Sequence, residues 1–472
     1  MSRPMLIAGT FLLAVAASLC AQGPRQVALV VTNGTVVTMD AGGRIIADGA
    51  VAVDGSEIIA VDTAATIQLQ FRGRETIDAT GQVVLPGLVN THTHAPMVLF
   101  RGLADDLALM EWLNSYIFPA EAKMVSPEFV RAGTRLAALE MIQSGTTTYA
   151  DMYYFEEEVA KATKAAGLRG VLGQTVIQFP VADAKTPGEA LTRAEAFITA
   201  YKGDALITPA VAPHAMYTLD GPTLTATRAL SKKYGVPTLI HLSETRDEQK
   251  TAAERRASSP TAYLDGLGFL GPGVLAAHGV WVSDTDIGIL KMRGVGVSHN
   301  PESNMKLASG TAPVPAYLRA GIALGLGTDG AASNNDLDMF DAMRMASLLH
   351  KLQSNDPRVV PARTALEMAT MGGARAMGMD RRIGSLERGK HADIIVVGMS
   401  AARQTPLYDP ISHLVYVTRG DDVRTTIVDG RILMRDRRVL TLDETAVVKE
   451  ARAWADRIRL AVKKVDPIVT PR

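Results

Sequence analysis

The feature that most constrains the fold is a repeated alternation in the middle of the chain. Between residues 83 and 380, short apolar runs recur, and segments with helical periodicity separate most of them. Because the runs lack polar alternation, they are typical of strands buried on both faces of a parallel sheet. Eight such strands alternating with helices predict a (β/α)8 barrel. The runs are residues 83–91, 146–150, 170–177, 206–212, 237–241, 274–278, 294–298 and 321–327, and the clearest helical segments are 127–144, 156–166, 188–201, 223–234 and 285–293.

Both ends of the remaining chain predict short strands separated by tight turns. The early strands are residues 27–31, 35–38, 50–53 and 57–61, and the late ones are 392–397, 414–418, 425–428 and 431–434. Asn-Gly, Gly-Gly and Asp-Gly pairs between them are typical hairpin turns. We therefore expect residues 25–85 and 385–440 to form a composite β-sandwich beside a barrel over residues 86–384. Residues 441–472 are predicted as a C-terminal helix and tail, with the helix over residues 444–464.

The first 21 residues resemble a targeting segment. Arg3 precedes an apolar stretch over residues 6–19, and small residues follow it. This length is within the range of about 7–15 residues for the core of a signal peptide, and it is short for a membrane span. We predict that residues 1–21 are a signal peptide and that the protein is exported to the periplasm or secreted. A lipid anchor on Cys20 and an uncleaved membrane anchor are the two alternatives.

Charge and composition exclude several classes of partner. The chain has 49 basic and 49 acidic residues and a single cysteine, Cys20. A net charge of zero gives no electrostatic basis for binding nucleic acid or an anionic membrane. No apolar run beyond the amino terminus approaches the roughly 20 residues of a membrane span. We therefore expect neither nucleic acid nor a membrane as a partner of the mature chain; the candidate site residues below point to a small-molecule substrate.

The predicted strand ends carry most of the histidines. His92 and His94 end the first run, His241 ends the fifth, and Asp329 follows the eighth. Catalytic residues of such barrels come from the carboxyl ends of the strands. His92 and His94 alternate, so on a strand both imidazoles project to one face. Together with His241 and Asp329 they predict a site for one divalent metal ion, with Zn²⁺ expected and Fe²⁺ as the alternative.

Three further residues at strand ends are candidates for the chemistry. Glu244 lies three residues beyond His241, and its carboxyl group is suited to proton transfer. His278 ends the sixth run, where it could orient a water molecule or stabilise an oxyanion. His214 follows the fourth run and is a candidate for substrate contact. Structural roles are predicted instead for His350, His391 and His413 and for the methionines Met339, Met343 and Met345.

The number of ions can also be inferred from the sequence. A barrel site that binds two ions commonly needs a bridging anionic ligand in the fourth strand. Residues 206–216 contain no lysine that could supply one. The sequence therefore favours a single ion.

Four motifs together resemble the amidohydrolase superfamily. They are Val-Leu-Pro-Gly-Leu-Val-Asn-Thr-His-Thr-His at residues 84–94, His-Leu-Ser-Glu at 241–244, Ala-His at 277–278 and Leu-Gly-Thr-Asp at 326–329. Within the superfamily, the chain is most similar to the 5'-methylthioadenosine/S-adenosylhomocysteine deaminases and related chlorohydrolases. The stretches that carry this closer similarity are residues 100–106, 111–113, 119–121, 213–217 and 298–307.

The resemblance implies a role for each candidate residue. It implies that Glu244 protonates the purine ring nitrogen and transfers protons, and that His278 and Asp329 orient and deprotonate the attacking water. It also implies that Glu121 accepts hydrogen bonds from ribose hydroxyls and that His214 contacts the nucleoside. The residues implied as metal ligands are His92, His94, His241 and Asp329. Barrel hydrolases of this kind often form homo-oligomers, which we also expect here.

The leading hypothesis is hydrolytic deamination of an aminated purine nucleoside, with release of ammonia. One alternative keeps the metal and changes the substrate to a triazine, a pterin or a free base, acted on by another aminohydrolase or a chlorohydrolase. A second alternative is a non-catalytic relative that serves as an exported binding module. Glu121 distinguishes the first two, because a free base has no ribose to hold.

Overall fold

A mixed sheet begins with five strands near the amino terminus. The computed structural model describes residues 23–462, so the predicted signal peptide lies outside the described residues. The strands are β1 (Arg25–Val37), β2 (Ile45–Asp54), β3 (Glu57–Thr63), β4 (Phe71–Asp78) and β5 (Gln82–Pro86). β1 is antiparallel to β2 and parallel to β4 and β5.

Eight parallel strands then close into a barrel, which confirms the predicted fold class. They are β6 (Leu88–Thr93), β7 (Thr146–Tyr153), β8 (Arg169–Val176), β9 (Ile207–Pro213), β10 (Thr238–Leu242), β11 (Val274–His278), β12 (Gly296–His299) and β13 (Leu324–Leu326). The strands follow chain order around the barrel, and β13 pairs with β6 to close it. Almost every residue of these strands is buried, as expected where helices cover the outside and side chains fill the inside.

The last strands complete the flanking sheet. They are β14 (Ile394–Gly398), β15 (Val423–Val428), β16 (Arg431–Arg435) and β17 (Arg438–Val439). β14 pairs antiparallel with β5, so one nine-stranded sheet contains the strands that precede the barrel and those that follow it. The expectation of a β-sandwich built from both chain ends is confirmed.

Helices connect the barrel strands and cover the barrel. The predicted helix over residues 127–144 has the same bounds in the structure; the Ser126 side chain caps its start, and Gly145 ends it in the left-handed conformation. The α-helices are Ala64–Gln70, Leu109–Glu111, Phe118–Met124, Pro127–Ser144, Glu156–Ala166, Pro187–Tyr201, Gly221–Tyr234, Asp247–Glu254, Pro260–Gly266, Asp284–Arg293, Pro301–Lys306, Val314–Ala320, Met339–Ser354, Ala362–Met368, Met371–Ala376, Pro410–Tyr416 and Glu444–Ala461. Short 3-10 segments are Ala95–Phe100, Ala402–Gln404 and Gly420–Asp422, and Trp112–Ile117 is a π-helix.

The first predicted barrel strand is divided between the two parts of the fold. The apolar run over residues 83–91 is continuous in sequence, but β5 belongs to the flanking sheet and β6 to the barrel. The chain passes from one to the other at Gly87, where an added Cβ would lie 2.1 Å from Thr147. A hydrophobic run therefore does not reveal that its two halves pack in different sheets.

Two other local predictions are wrong. The Asn33-Gly34 pair, predicted as a turn, lies inside the single strand β1 as a bulge, with Asn33 at a φ of 64°. The predicted strand over residues 414–418 overlaps the helix Pro410–Tyr416. Asp409 caps that helix and Pro410 opens it, so the start signals outweigh the β-propensity of the residues that follow.

The closing helix Glu444–Ala461 packs against the helix Pro127–Ser144. Its predicted last residues, 463 and 464, lie outside the described residues. Within residues 23–462, no helix is both long and apolar enough to cross a membrane.

Candidate active site

The four predicted metal ligands meet at the carboxyl end of the barrel. His92 lies in β6, His94 follows this strand, and His241 lies in β10. His94 Nε2 is 3.3 Å from His241 Nε2, and Asp329 Oδ1 is 3.3 Å from His94 Nε2 and 3.5 Å from His92 Nε2. Donor atoms of His92, His94 and His241 all lie within 4.8 Å of one another. The parallel strands thus bring together ligands that are far apart in sequence.

The state of the imidazoles fits a divalent metal ion. The Nδ1–H groups of His94 and His241 donate to the carbonyl oxygens of Met152 (2.7 Å) and His214 (2.8 Å). This arrangement leaves each Nε2 as a free donor atom that faces the cluster. His92 Nε2 is buried and has no hydrogen-bond partner among the described residues. Burial lowers the pKa of His92 to about 4, so its ring is neutral, as a metal ligand must be.

Asp329 is held rigidly at the centre of this cluster. Ser303 Oγ donates to Asp329 Oδ2 (2.7 Å), and the backbone N–H of Gly330 donates to Oδ1 (2.7 Å). Asp329 has a φ of 65°, a conformation that a non-glycine residue adopts only where its surroundings impose it. The carboxylate is therefore fixed in both position and hydrogen bonding.

His278 and Glu244 lie beside the ligand cluster on the same rim. His278 Nε2 is 3.7 Å from Glu244 Oε2 and 3.9 Å from Asp329 Oδ2. The Nδ1 atom of His278 is hydrogen-bonded to Asn304 Oδ1 at 2.9 Å, so that Nε2 is the ring nitrogen that faces Glu244 and Asp329. These separations leave room for a small reacting group between the three side chains.

The electrostatics of Glu244 suit a proton donor. Its side chain is 3% exposed, and burial first and the negative charge of Asp329 second raise its pKa to about 8. At neutral pH the carboxyl group is therefore protonated. A buried acid with such a pKa beside a cavity is typical of a catalytic group.

One cavity connects these groups with the other predicted site residues. Glu121, in the helix Phe118–Met124, lines it and accepts a hydrogen bond from Tyr153 Oη (2.7 Å). His214 follows β9, lines the same cavity, and has its ring 4.7 Å from that of His241, centre to centre. The apolar lining residues are Met97, Leu109, Trp112, Leu113, Ile117, Phe118, Met152 and Leu307. Seven of the eight candidate site residues thus line one cavity. The eighth, His92, lies beside it, with its Nε2 3.5 Å from Asp329 Oδ1.

Residues that support the site were missed by the sequence reasoning. Ser303, Asn304 and Tyr153 contact Asp329, His278 and Glu121 respectively. Ser303 and Asn304 fall within residues 298–307, which contribute to the family resemblance, and this was the available signal. No sequence signal pointed to Tyr153, because its contact with Glu121 forms only when β7 and the helix Phe118–Met124 pack together.

The residues predicted to be structural lie away from the cavity. His350 is buried, with its Nε2 3.0 Å from that of His299. His391 Nδ1 lies 2.6 Å from Asp429 Oδ1, and His413 contacts backbone carbonyls of its own segment. Met339 and Met343 are buried in the large hydrophobic core, and Met345 is half-buried.

An eight-stranded parallel barrel with such a cluster at its carboxyl end defines the class of metal-dependent barrel hydrolases. Residues 83–433 match the amidohydrolase family. The chain belongs to this family, which confirms the resemblance noted in the sequence, and it is a hydrolase that acts on C–N bonds. The family is metal-dependent, in agreement with the ligand set described here.

Relatives of known name cover nearly the whole chain. A 5-methylthioadenosine/S-adenosylhomocysteine deaminase of Syntrophobacter fumaroxidans is 48% identical over 93% of this chain and 100% of its own length. A 5'-deoxyadenosine deaminase of Methanosarcina mazei is 46% identical over 91% of this chain and 98% of its own. The crystal structure of an adenosine deaminase from Xanthomonas campestris with bound zinc is 40% identical, with a TM-score of 0.91 over 93% of this chain and all of that one.

Proposed function

We propose that the protein is a metal-dependent hydrolytic deaminase of an aminated purine nucleoside, of the 5'-methylthioadenosine/S-adenosylhomocysteine type. The relatives described above are named for substrates of this class. One observation carries the proposal: the buried Glu244 carboxyl group and His278, with its Nδ1 hydrogen-bonded to Asn304, lie beside one ligand cluster in a cavity that Glu121 also lines. These are the groups needed to replace an exocyclic amine by oxygen.

The chain's own residues then have separate tasks in the reaction. When bound, a divalent ion makes a water molecule acidic enough to supply a hydroxide nucleophile near neutral pH. His278 Nε2 and Asp329 Oδ2 accept the proton of this water and orient it towards the carbon that bears the amine. The carboxyl group of Glu244 donates its proton to the adjacent ring nitrogen. Return of the first water proton from His278 and Asp329 to the amine breaks the C–N bond. The proton of the new hydroxyl group passes to Glu244 and restores its acid form, so that water and substrate give the oxo product and ammonia.

The cavity favours a neutral nucleoside over the alternative substrates. The carboxyl group of Glu121 can accept hydrogen bonds from ribose hydroxyls, a function that a triazine or a free base would not use. The described residues that line the cavity include no lysine or arginine to pair with a phosphate. We therefore expect adenosine and its 5'-derivatives of zero net charge to react and 5'-AMP to react poorly.

The proposal can be tested by measuring the ammonia that the metal-loaded protein releases from a panel of nucleosides and of compounds without a ribose. Adenosine, 5'-methylthioadenosine, 5'-deoxyadenosine and S-adenosylhomocysteine should be deaminated, whereas adenine, an aminated pterin and a chlorinated triazine should not. The Glu121→Gln variant should lose rate on nucleosides and leave any slow rate on adenine unchanged. Equal rates on nucleoside and free base in the native protein would contradict the proposal.

We propose Zn²⁺ as the ion. Three imidazole nitrogens and one carboxylate oxygen are a donor set that zinc binds, and the Xanthomonas relative is described with zinc. Elemental analysis of the protein purified without added metal should find about one zinc per chain. Iron in its place would support the alternative named above.

Export is also proposed, on the basis of Arg3 and the apolar stretch over residues 6–19. Amino-terminal sequencing of the mature protein should find a start near residue 21 or 22, and a start at Met1 would contradict export. The expected homo-oligomer stays a prediction, and light scattering on the purified protein measures it directly.

A further inference from the structure

We infer that Glu248 is a positioning residue that aims Glu244 at the reacting atoms; the inference rests on the proposed function. Glu248 lies in the helix Asp247–Glu254 and does not line the cavity. Its side chain is 2% exposed. Glu248 Oε1 accepts from the backbone N–H of Glu244 (2.6 Å), and Oε2 accepts from that of Ser243 (2.9 Å). One buried carboxylate thus holds two successive amides, including that of Glu244 itself.

Ser243 shows why this support is needed. It lies between the end of β10 and Glu244, and its φ is 52°, in the left-handed region that non-glycine residues rarely adopt. Its N–H is held by Glu248, and its carbonyl oxygen accepts from Val280 N (3.0 Å) and Trp281 N (2.8 Å). Both sides of this residue are therefore fixed by contacts from outside β10. Loss of the Glu248 contact would free the turn that sets the direction of Glu244.

The same contacts connect Glu244 to the segment that carries His278. Val280 and Trp281 lie two and three residues after His278 in the chain. The Gln249 side chain donates to the Trp281 carbonyl (2.7 Å), and the Arg246 guanidinium lies 4.1 Å from the centre of the Trp281 ring. These hydrogen bonds and the Arg246–Trp281 contact therefore hold residues 243–249 and 278–281 together. Within these two segments, Glu248 is the side chain that contacts the backbone of Glu244.

The chemistry of the contact requires a carboxylate. A carboxylate accepts with both oxygens, whereas the amide of glutamine has one acceptor and a donor group of the same size. In Glu248→Gln, one of the two backbone N–H groups would face an NH₂ group in a buried position. This variant changes the contact and preserves the packing volume.

The first experiment compares Glu248→Gln with a matched control. Asp286 is 3% exposed and caps the helix Asp284–Arg293 by accepting from Ser283 N (2.8 Å), so it also holds a backbone amide, but it does not line the cavity. We expect Glu248→Gln to lower kcat by roughly 10- to 100-fold, since small displacements of catalytic groups have effects of this size. KM and the metal content should stay unchanged. Asp286→Asn should lower the melting temperature and leave kcat unchanged. Equal effects of the two variants on kcat would overturn the inference.

A double-variant cycle tests whether Glu248 acts through Glu244. In a Glu244→Ala background, Glu248→Gln should cause little further loss of kcat, because the side chain that it positions is gone. If the second substitution lowers kcat by the same factor in both backgrounds, Glu248 acts independently of Glu244 and the inference is wrong.

A crystal structure of Glu248→Gln gives a result that does not depend on activity. We expect the Glu244 carboxyl group to move or to occupy several conformations, while His241 and Asp329 stay in place. A Glu244 side chain in its original position would overturn the inference even if the native protein deaminates nucleosides. Conversely, absence of deamination by the native protein would refute the proposed function, and the crystal structure would still decide the role of Glu248.

Discussion

Glu244 acts as an acid in the proposed reaction only while its carboxyl group is protonated. Burial and the charge of Asp329 raise its pKa to about 8, so the protonated form dominates at pH 7 and is lost as the pH rises through this value. Glu244→Gln has a similar shape but no acidic proton, and we expect kcat to fall by about 10²–10⁴-fold. Steady-state assays with elemental analysis test this, because the metal content should not change. A variant that retains native kcat would remove Glu244 from the mechanism.

The raised pKa of Glu121 predicts that substrate binding depends on pH. Burial raises its pKa to about 7, although hydrogen bonds from Tyr153 and Tyr154 lower it in part. Above pH 7 the group is ionised and is the stronger acceptor for ribose hydroxyls, so KM for a nucleoside should fall as the pH rises from 6 to 8. The difference should be of the order of tenfold, because a hydrogen bond to a charged group contributes about 1.5–3 kcal/mol.

Glu121→Gln should have a raised KM that does not change over the same range. The control is Glu195→Gln, because Glu195 is an exposed carboxylate paired with Lys233 and far from the cavity. This variant should keep the native profile. A native KM that is constant between pH 6 and 8 would contradict the role of Glu121.

At the scale of elements, one buried arginine joins the barrel to the flanking sheet. Arg169 opens β8 and is 1% exposed; its guanidinium contacts both Asp393 oxygens (3.0 and 3.2 Å) and Asp429 Oδ1 (3.1 Å). In Arg169→Met the buried carboxylate of Asp393 would lose its partner, so the free energy of unfolding should fall by about 3–5 kcal/mol.

Denaturant unfolding followed by circular dichroism measures this loss. Arg25→Met is the matched control, because Arg25 pairs with Asp54 at an exposed position (2.8 Å). An exposed pair contributes about 0–1 kcal/mol, so the control should differ little from the native protein. A similar loss of unfolding free energy in the two variants would show that burial of the Arg169 pair does not add to its contribution to stability.

The sequence predicted elements well where the signal is local. The helix over residues 127–144 carries its own cap and stop signals, and the observed bounds are the same. The Asn33-Gly34 bulge and the division of residues 83–91 between two sheets depend on which strands pair, and this information is not local. For the same reason the sequence located Glu244 and did not locate Glu248, whose partners are backbone amides that become neighbours only after β10 ends in a left-handed turn.

At the scale of the whole molecule, barrel closure creates the metal site. Asp329 follows β13 and His92 lies in β6, and these strands become neighbours only where the last strand pairs with the first. The strand-end rule for parallel barrels was therefore enough to predict from the sequence that these four side chains lie together. The rule could not predict the distances between the side-chain atoms of the cluster, because these distances depend on the register of each strand.

Because the ligands come from separate strands, metal binding should stabilise the entire barrel. An ion that binds the folded protein at 1,000 times its Kd adds about 4.1 kcal/mol of stability. Removal of the ion by a chelator should lower the melting temperature by several degrees, and added Zn²⁺ should restore it. His241→Ala should abolish this metal-dependent difference, whereas His413→Ala, outside the cavity, should retain it. Thermal unfolding at a fixed scan rate measures the melting temperature of each protein with and without the ion, and a shift that persists in His241→Ala would place the ion elsewhere.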